Sequence, residues 1–309
     1  MGRKVAIISI NFNRGTEIID SIESILAQSY QDFHLYIVDD VSSDDTFEKA
    51  SERVRGIENV TLLKNEINKG FTRSLIHTIA MLDNEYIAIN GAGDISLPGR
   101  IYEQVEFLDQ NPEAGVVCVG VANRAVNNVS DKIYEITTAD LLRRNMINHG
   151  TAMFRLDVYR KVGGYREYFK FRQDKDLWYR MSLLTKLYFL PQKLYRWTNS
   201  TNSVSSNHGF SPLPSLMSFY ATYLIKERLR SGHDSLDKYG EYAGLLFNPT
   251  YASMHISKNI VRLVLSGKPR QAEGQLSTLL AISRNRLVRL ICRILLPIVR
   301  VRNQGSKGA

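Results

Sequence analysis

Cysteine is nearly absent: the 309 residues hold two, Cys118 and Cys292. They lie far apart and match no metal-ligand spacing, so the chain reads as one from a reducing compartment. Long apolar runs are missing too. No stretch of 18 or more apolar residues occurs, which leaves nothing to span a bilayer. The start, Met1-Gly-Arg-Lys-Val5, enters an apolar strand without a signal-peptide core, and a cytoplasmic location is expected. The three spaced glycines of a dinucleotide-binding turn are lacking. Ser9-Ile-Asn11-Phe12-Asn13-Arg14 stands in their place, which argues against a nicotinamide enzyme. Acid is scarce at one end. Residues 258–309 carry eleven Lys or Arg against one acid, Glu273, in a chain of net charge +9. The remainder is therefore close to neutral, and the tail calls for an acidic surface as its partner.

What is present is an ordinary globular composition, 44% hydrophobic, in a length that suits one α/β domain with an appendage or two domains. Through the first 121 residues strand and helix patterns alternate. Val5–Ile10, Leu35–Val38, Val60–Leu63, Tyr86–Ile89 and Gly115–Val121 are apolar, β-rich runs. Between them come helical patterns over Glu17–Ala27, from Asp44, over Thr72–Leu82 and near Pro98, where proline suits a first turn. This alternation predicts an α/β fold with a mostly parallel sheet flanked by helices. Residues 123–135 read as polar loop. Two short strands, Leu187–Leu190 and Leu194–Trp197, are expected later, and only helices from about Ser211. The expected divisions are 1–122, 123–210 within the same domain, and a helical region 211–309.

The run Leu35-Tyr-Ile-Val-Asp39-Asp40-Val-Ser42-Ser43-Asp44-Asp45-Thr46 is the most informative. A strand buried on both faces ends in two adjacent carboxylates, and Ser42 with Asp45 three residues on matches a helix-capping pattern. Open α/β sheets bind ligands outside the carboxyl ends of their strands, so Asp39 and Asp40 are expected to face one.

With these residues in place the chain resembles glycosyltransferase family 2, inverting enzymes of the nucleotide-sugar-binding GT-A fold. The resemblance covers residues 4–206. Residues 9–14 resemble P-T-Y-N-R, and Val38–Thr46 resembles V-D-D-G-S-x-D-x-T. Asn65-Glu-Ile-Asn68-Lys69-Gly70 resembles the N-x-G that opens a helix. Gly163-Gly164-Tyr165 followed by Gln173-Asp174-Lys-Asp176-Leu177-Trp178-Tyr-Arg180 resembles G-G-F and E-D-x-D-L-W-x-R. Ile89-Asn90-Gly91-Ala92-Gly93-Asp94, then Pro98-Gly-Arg100, stands where the family has L-D-A-D-D and P-x-R. The metal-binding D-x-D thus falls on Gly91-Ala92-Gly93, and Asp94 is the acid that remains. Either Asp94 holds a hydrated Mg²⁺ or Mn²⁺, or cationic side chains neutralise the diphosphate instead.

The resemblance implies that Asp174 is the base for the acceptor hydroxyl and that Asp40 accepts a nucleobase N–H, with UDP the expected nucleotide. Asp39 supports the loop, and Asn11 and Phe12 pack the base and ribose. Gly70, Arg73 and the Gly91, Ala92, Gly93, Asp94 turn complete the donor side. His149, Trp178 and Arg196 stand at the acceptor or diphosphate. Asp176 orients its neighbours, and Arg100 and Arg180 match family positions or serve in structural ion pairs. Tyr195-Arg196-Trp197 with Asn202-Ser203-Val-Ser205 resembles the closing Y-R-x-H and S-V-S, a segment that would fold over the donor as a lid, or else form an ordinary strand and Ser-rich loop.

In the tail, Arg286, Arg289, Arg293 and Arg300 share one helical face, with Leu287, Ile291, Ile294, Leu295 and Ile298 on the other. A basic amphipathic helix predicts contact with an anionic membrane. No aromatic residue separates these arginines to stack bases, so nucleic acid is not expected. The expectation is a glycosyltransferase, peripheral at the inner face of the membrane. It would move a sugar from a nucleotide diphosphate to a glycan or lipid-linked acceptor in surface polysaccharide or glycoconjugate synthesis. The rival readings are a non-catalytic sugar-nucleotide-binding relative, supported by Gly91-Ala92-Gly93, and a basic scaffold or nucleic-acid-binding protein.

Overall fold

The computed structural model describes residues 3–123, 131–198 and 213–246, and of the remainder residues 257, 260–263, 265, 269–282 and 286–305. The chain forms two compact units, residues 1–200 and 201–309.

The first unit begins with β1 (Val5–Asn11), α1 (Ile18–Leu26), β2 (Phe33–Asp39), α2 (Thr46–Val54), β3 (Val60–Lys64), α3 (Phe71–Ala80) and β4 (Tyr86–Ile89). After a tight turn come β5 (Ile95–Ser96), α4 (Arg100–Gln110) and β6 (Ala114–Val121). β7 (Tyr134–Ile136), α5 (Thr138–Arg143), β8 (Ala152–Arg155), α6 (Leu156–Lys161), α7 (Gln173–Met181) and β9 (Lys186–Arg196) complete it. The sheet order is β3-β2-β1-β4-β8-β6-β9-β5, with β7 added against β9. The β3-β2-β1-β4 half is parallel throughout. β8 runs antiparallel between β4 and β6, and β9 returns parallel to β6.

Burial explains this order. Every residue of β1 is buried, as a central strand covered on both faces requires, whereas β3, at the sheet edge, is only half-buried. Ile18, Ile22 and Ile25 of α1 pack against the face that carries Val5, Ile7, Leu35 and Ile37. Each such side chain contributes about 1.5–3 kcal/mol when fully buried. The α/β expectation therefore holds.

Some details differ from the sequence reading. Pro98 precedes α4 and is not in its first turn, since Gly99, at φ 85°, is the N-cap. The two late strands are one, β9. Pro191, which lacks an N–H to donate, lies where the pairing with β6 slips between Val119↔Leu190 and Gly120↔Lys193. The polar stretch 123–135 is not all loop, because Tyr134 and Glu135 pair with β9.

In the second unit the described residues are helical, with long helices Leu213–Ser231, Pro269–Ile282 and Arg286–Gly305. The last two pack through Ala272, Leu276, Leu279, Cys292 and Val299, joined by Val288 and Leu295. This corrects the expected two-faced tail. The core-facing stripe is Val288, Cys292, Leu295 and Val299, while Leu290, Ile291 and Ile294 lie outward, 46–56% exposed. Arg289 and Arg293 are exposed as well. Arg284 and the side chains of Arg286, Leu287, Ile298 and Arg300 lie outside the described residues. Among the described residues no helix is long and apolar enough to cross a membrane.

Candidate functional site

The carboxyl ends of β1, β2 and β4 meet at one edge of the sheet, and the chain leaving each strand builds the first half of the site. Asn11 and Asp39 are register partners there. Asn11 is buried and turns its amide back onto Ser9, while Phe12 is exposed beside it. Asp40 is buried and its carboxylate holds the 65–70 turn. Oδ1 accepts from Asn65 Nδ2 (2.7 Å), the Lys69 N–H (2.9 Å) and Ser74 Oγ (3.2 Å), and Oδ2 from the Gly70 N–H (2.8 Å). Gly70, at φ 76°, is the residue before α3, where its backbone turns into the helix. Asp39 Oδ2 accepts the Ser42 N–H (3.1 Å), but its Oδ1 is buried with no partner. In their contacts, then, Asp40 ties the loop, and Asp39 keeps an enclosed oxygen without a partner.

Val41 follows at φ 64°, a left-handed conformation costly for a β-branched residue. Ser42 is not the cap of α2. Its hydroxyl accepts the Asn13 N–H (3.0 Å), and Asp44 takes the Thr46 N–H (3.1 Å) instead. Arg73, expected at a phosphate, forms an exposed ion pair with Glu167.

Gly91-Ala92-Gly93-Asp94 is a tight turn closed by the Asp94 N–H on the Gly91 carbonyl (3.0 Å). Tyr195, buried at the end of β9, accepts the Gly91 N–H (2.8 Å) and donates its hydroxyl to Asp94 Oδ2 (2.8 Å). Asp94 Oδ1 accepts the Thr198 N–H (2.8 Å). Burial pushes the Asp94 carboxyl above its ordinary pKa, against the pull of these two donors and of Arg14 and Arg100. Burial likewise pulls the wholly enclosed Arg100 down to about 10. Its guanidinium donates to the Ile89 carbonyl (2.7 Å), Asn90, Ser96 and Gln104, so it braces the turn from beneath.

The second half of the site is the start of α7. Arg172, the residue before the helix, has φ 61°. Asp174 is partly exposed, and Oδ2 accepts from Asn145 Nδ2 (3.3 Å). Asp176 is buried between Arg166 and Arg180, with Arg180 Nη2 2.7 Å away, so it orients and does not react. His149 Nε2 lies 2.6 Å from the Tyr165 hydroxyl, and its ring packs edge-on to Phe71, Tyr165 and Trp178. Burial lowers the His149 pKa while Asp174 raises it, the net direction being down. The imidazole is thus neutral at pH 7 and supplies no cation for a diphosphate. Trp178 is fully buried against Phe154 and His149, so it offers no face to an acceptor. Lys175 is pulled down to about 8, by burial first and Arg172 second. Arg196 is exposed at the end of β9. The lid stretch Asn202–Ser205 lies outside the described residues.

Sequence reading missed Asn145, Tyr165 and Tyr195 as functional neighbours. Tyr195 carried a faint signal in the Tyr195-Arg196 motif, and Asn145 carried none. A divalent ion takes several oxygen ligands. Asp94 is the one acid of its turn, and both its oxygens are engaged. Among the described residues no cluster of three or more His, Cys, Asp or Glu could hold a metal. The donor set does not fit the ion that the resemblance implies.

Comparison with known proteins bears on this geometry. The Glycosyl transferase family 2 model matches residues 6–163. EpsE of Bacillus subtilis (strain 168), assigned as a glycosyltransferase, is 32% identical over 192 residues, 58% of this chain and 66% of that protein. The O-antigen biosynthesis glycosyltransferase WbnJ of Escherichia coli is 29% identical over 68% of this chain and 83% of its own. Staphylococcus aureus TarS 1-349 in complex with UDP-GlcNAc superposes with a TM-score of 0.65 at 17% identity, over 97% of this chain and 88% of that one. The mannosyltransferase PcManGT of Pyrobaculum calidifontis, in complex with GDP-Man and Mn²⁺, gives 0.57 at 15% identity, over 99% and 88%. These two establish the GT-A fold alone. Because the family model takes in β1 through the helix after β8, with both the Asp39-Asp40 end and the Gly91–Asp94 turn inside it, the chain belongs to glycosyl transferase family 2.

Proposed function

We propose that this protein is an inverting hexosyltransferase that moves a sugar from a nucleotide diphosphate, UDP in the first instance, to a glycan or lipid-linked acceptor in surface polysaccharide or glycoconjugate synthesis. The observation that carries the reading is Asp174. It is a partly exposed carboxylate steadied on one oxygen by Asn145, next to an Asp176 that is wholly committed to arginines. Inversion needs one displacement at the anomeric carbon. Asp174 takes the proton of the acceptor hydroxyl as that oxygen attacks, and the nucleoside diphosphate leaves with the bonding electrons. On the donor side, the enclosed Asp39 oxygen without a partner suits a nucleobase N–H or a ribose hydroxyl, and Phe12 offers an exposed ring to stack on.

Two features of the last helix support the membrane setting. Leu290, Ile291 and Ile294 form an outward apolar stripe beside exposed Arg289 and Arg293. That pairing suits the inner face of an anionic membrane, which attracts each Lys or Arg by about 1 kcal/mol.

Nucleotide release from UDP-, GDP- and dTDP-sugars, with a membrane extract as acceptor, tests the transferase. Acceptor-dependent release lost in Asp174→Asn is expected, and undiminished turnover in that variant would overturn the base assignment. Donor binding without turnover across acceptors would favour the non-catalytic reading, which the engaged Asp94 supports. For the membrane, Ile291→Glu with Ile294→Glu should abolish sedimentation with anionic vesicles, and unchanged sedimentation would remove that assignment.

A further inference from the structure

We infer that the Tyr195–Asp94 pair replaces the divalent metal of the donor site, so that this protein binds its nucleotide without one. The inference rests on the nucleotide-sugar reading and deepens it.

The first constraint on the turn is space. A side chain at Gly91 would put its Cβ 2.3 Å from Asp94 Oδ2 and 3.0 Å from the Tyr195 hydroxyl. A carboxylate on that residue, the first of the two the family places on this turn, has nowhere to go. A side chain at Gly150 would meet the same hydroxyl at 2.2 Å. The Gly91 contact with the Asp94 carboxylate and the Gly150 contact with the Tyr195 hydroxyl lie well inside any real Cβ approach, and that hydroxyl belongs to a fully buried ring. Gly91, Gly150 and Tyr195 are 59 and 45 residues apart along the chain, yet they describe one volume, and a phenol fills it.

The chemistry agrees with the space. The Tyr195 hydroxyl donates to Asp94 and accepts from Gly91. A protonated phenol is a poor ligand for Mg²⁺ or Mn²⁺, which favour carboxylate, carbonyl and water oxygens. Asp94 spends its second oxygen on the Thr198 N–H. Its charge faces the guanidinium groups of Arg14 and Arg100, so the turn is already balanced by cations that belong to the protein. Arg14 also runs beside Gly93, within 3.8 Å of where that residue's Cβ would lie. The hydroxyl does in this site what a bound ion does elsewhere: it fixes the turn after β4, the end of β9 and the acid between them. Tyr195 is a positioning residue here, since it acts through Asp94 and the Gly91 backbone.

The test is UDP and GDP binding by calorimetry to the full chain, in EDTA and in excess Mn²⁺, for the wild type and Tyr195→Phe. The wild type should bind one nucleotide with a Kd that differs by less than about threefold between the two buffers. A gain of about threefold or more with Mn²⁺ would overturn the inference. Tyr195→Phe keeps the ring and frees Asp94 Oδ2, so its nucleotide affinity should become responsive to Mn²⁺. A purely structural phenol would not change the metal response, and a flat response in a folded Tyr195→Phe protein would overturn the role given to the hydroxyl. Should that variant fail to fold, the wild-type comparison of the two buffers still decides whether the nucleotide is bound without a metal. Binding of neither nucleotide in either buffer would sink the nucleotide-sugar reading, and this inference with it.

Discussion

The end of β2 and the start of α7 each carry two carboxylates, and in each pair one is locked by several donors while the other is held on one oxygen. They differ in what does the locking. Asp40 is held by two backbone N–H groups, an amide and a hydroxyl, all neutral, so these partners bring no positive charge to the Asp39-Asp40 pair. Asp176 is held by the guanidinium groups of Arg166 and Arg180, which cancel the negative charge around Asp174. A diphosphate would be repelled at the first place and tolerated at the second. The first therefore suits N–H and O–H donors of a base or ribose, and the second suits the reacting centre. Charge balance, and not the presence of acids, separates the two roles.

The sharpest way to break this comparison is at the acids held on one oxygen. Asp174→Asn should lower kcat by about 10²–10⁴-fold, the usual weight of a positioned base. Nucleotide affinity, measured by titration, should stay as in the wild type. If Asp39→Asn caused the larger loss in kcat, the two roles would be reversed. Next come the locked acids. Asp176→Ala removes the carboxylate that two largely buried arginines share and should destabilise the protein by about 3–5 kcal/mol in urea unfolding. Asp40→Ala strands the Lys69 and Gly70 N–H groups, each worth about 1–3 kcal/mol when left unpaired in the interior. It should also open the 65–70 turn to proteolysis. Equal losses at Asp40 and Asp176 would mean that the kind of partner does not matter.

Most of this frame was legible in advance where the signal is local. β1, β2 and β4 announce themselves as β-branched runs with the two acids at the end, and the observed strands differ from the expected ones by at most two residues at either end. What sequence could not supply was anything decided by distant neighbours. Whether Asp39 or Asp40 ties the loop depends on the Lys69 and Gly70 N–H groups about thirty residues on. His149 and Trp178 look available in sequence, but a ring cluster with Phe71 and Tyr165 encloses them. In the tail the core face was misplaced, because periodicity shows two faces and this helix uses three among its described residues: Arg289 and Arg293, then Leu290 and Ile294, then Cys292 and Val299.

A smaller effect sharpens the donor half. Asp39→Asn should weaken UDP binding about tenfold, the range of one hydrogen bond to a charged group. It should leave urea stability unchanged or raised, because the wild-type Oδ1 is buried without a partner. A loss of stability equal to that of Asp40→Ala would instead place Asp39 among the structural acids.

The smallest expected effect concerns the backbone beside each pair. Val41 and Arg172 both sit in the left-handed region, at φ 64° and 61°, one after Asp40 and the other two residues before Asp174. A side chain costs about 1–2 kcal/mol there, more for a β-branched residue than for a straight one. Glycine removes that cost but adds about 0.5–1 kcal/mol of unfolded-chain entropy. Val41→Gly should therefore stabilise the protein by up to about 1 kcal/mol, and Arg172→Gly by less. Strained residues persist when the surrounding structure over-determines them, as the Asp40 network does for Val41. If that strain serves to aim the Asp39 oxygen, Val41→Gly should gain stability and lose UDP affinity together. A gain in stability with unchanged affinity would show that the turn is held by the Asp40 hydrogen bonds alone and that Val41 is merely tolerated.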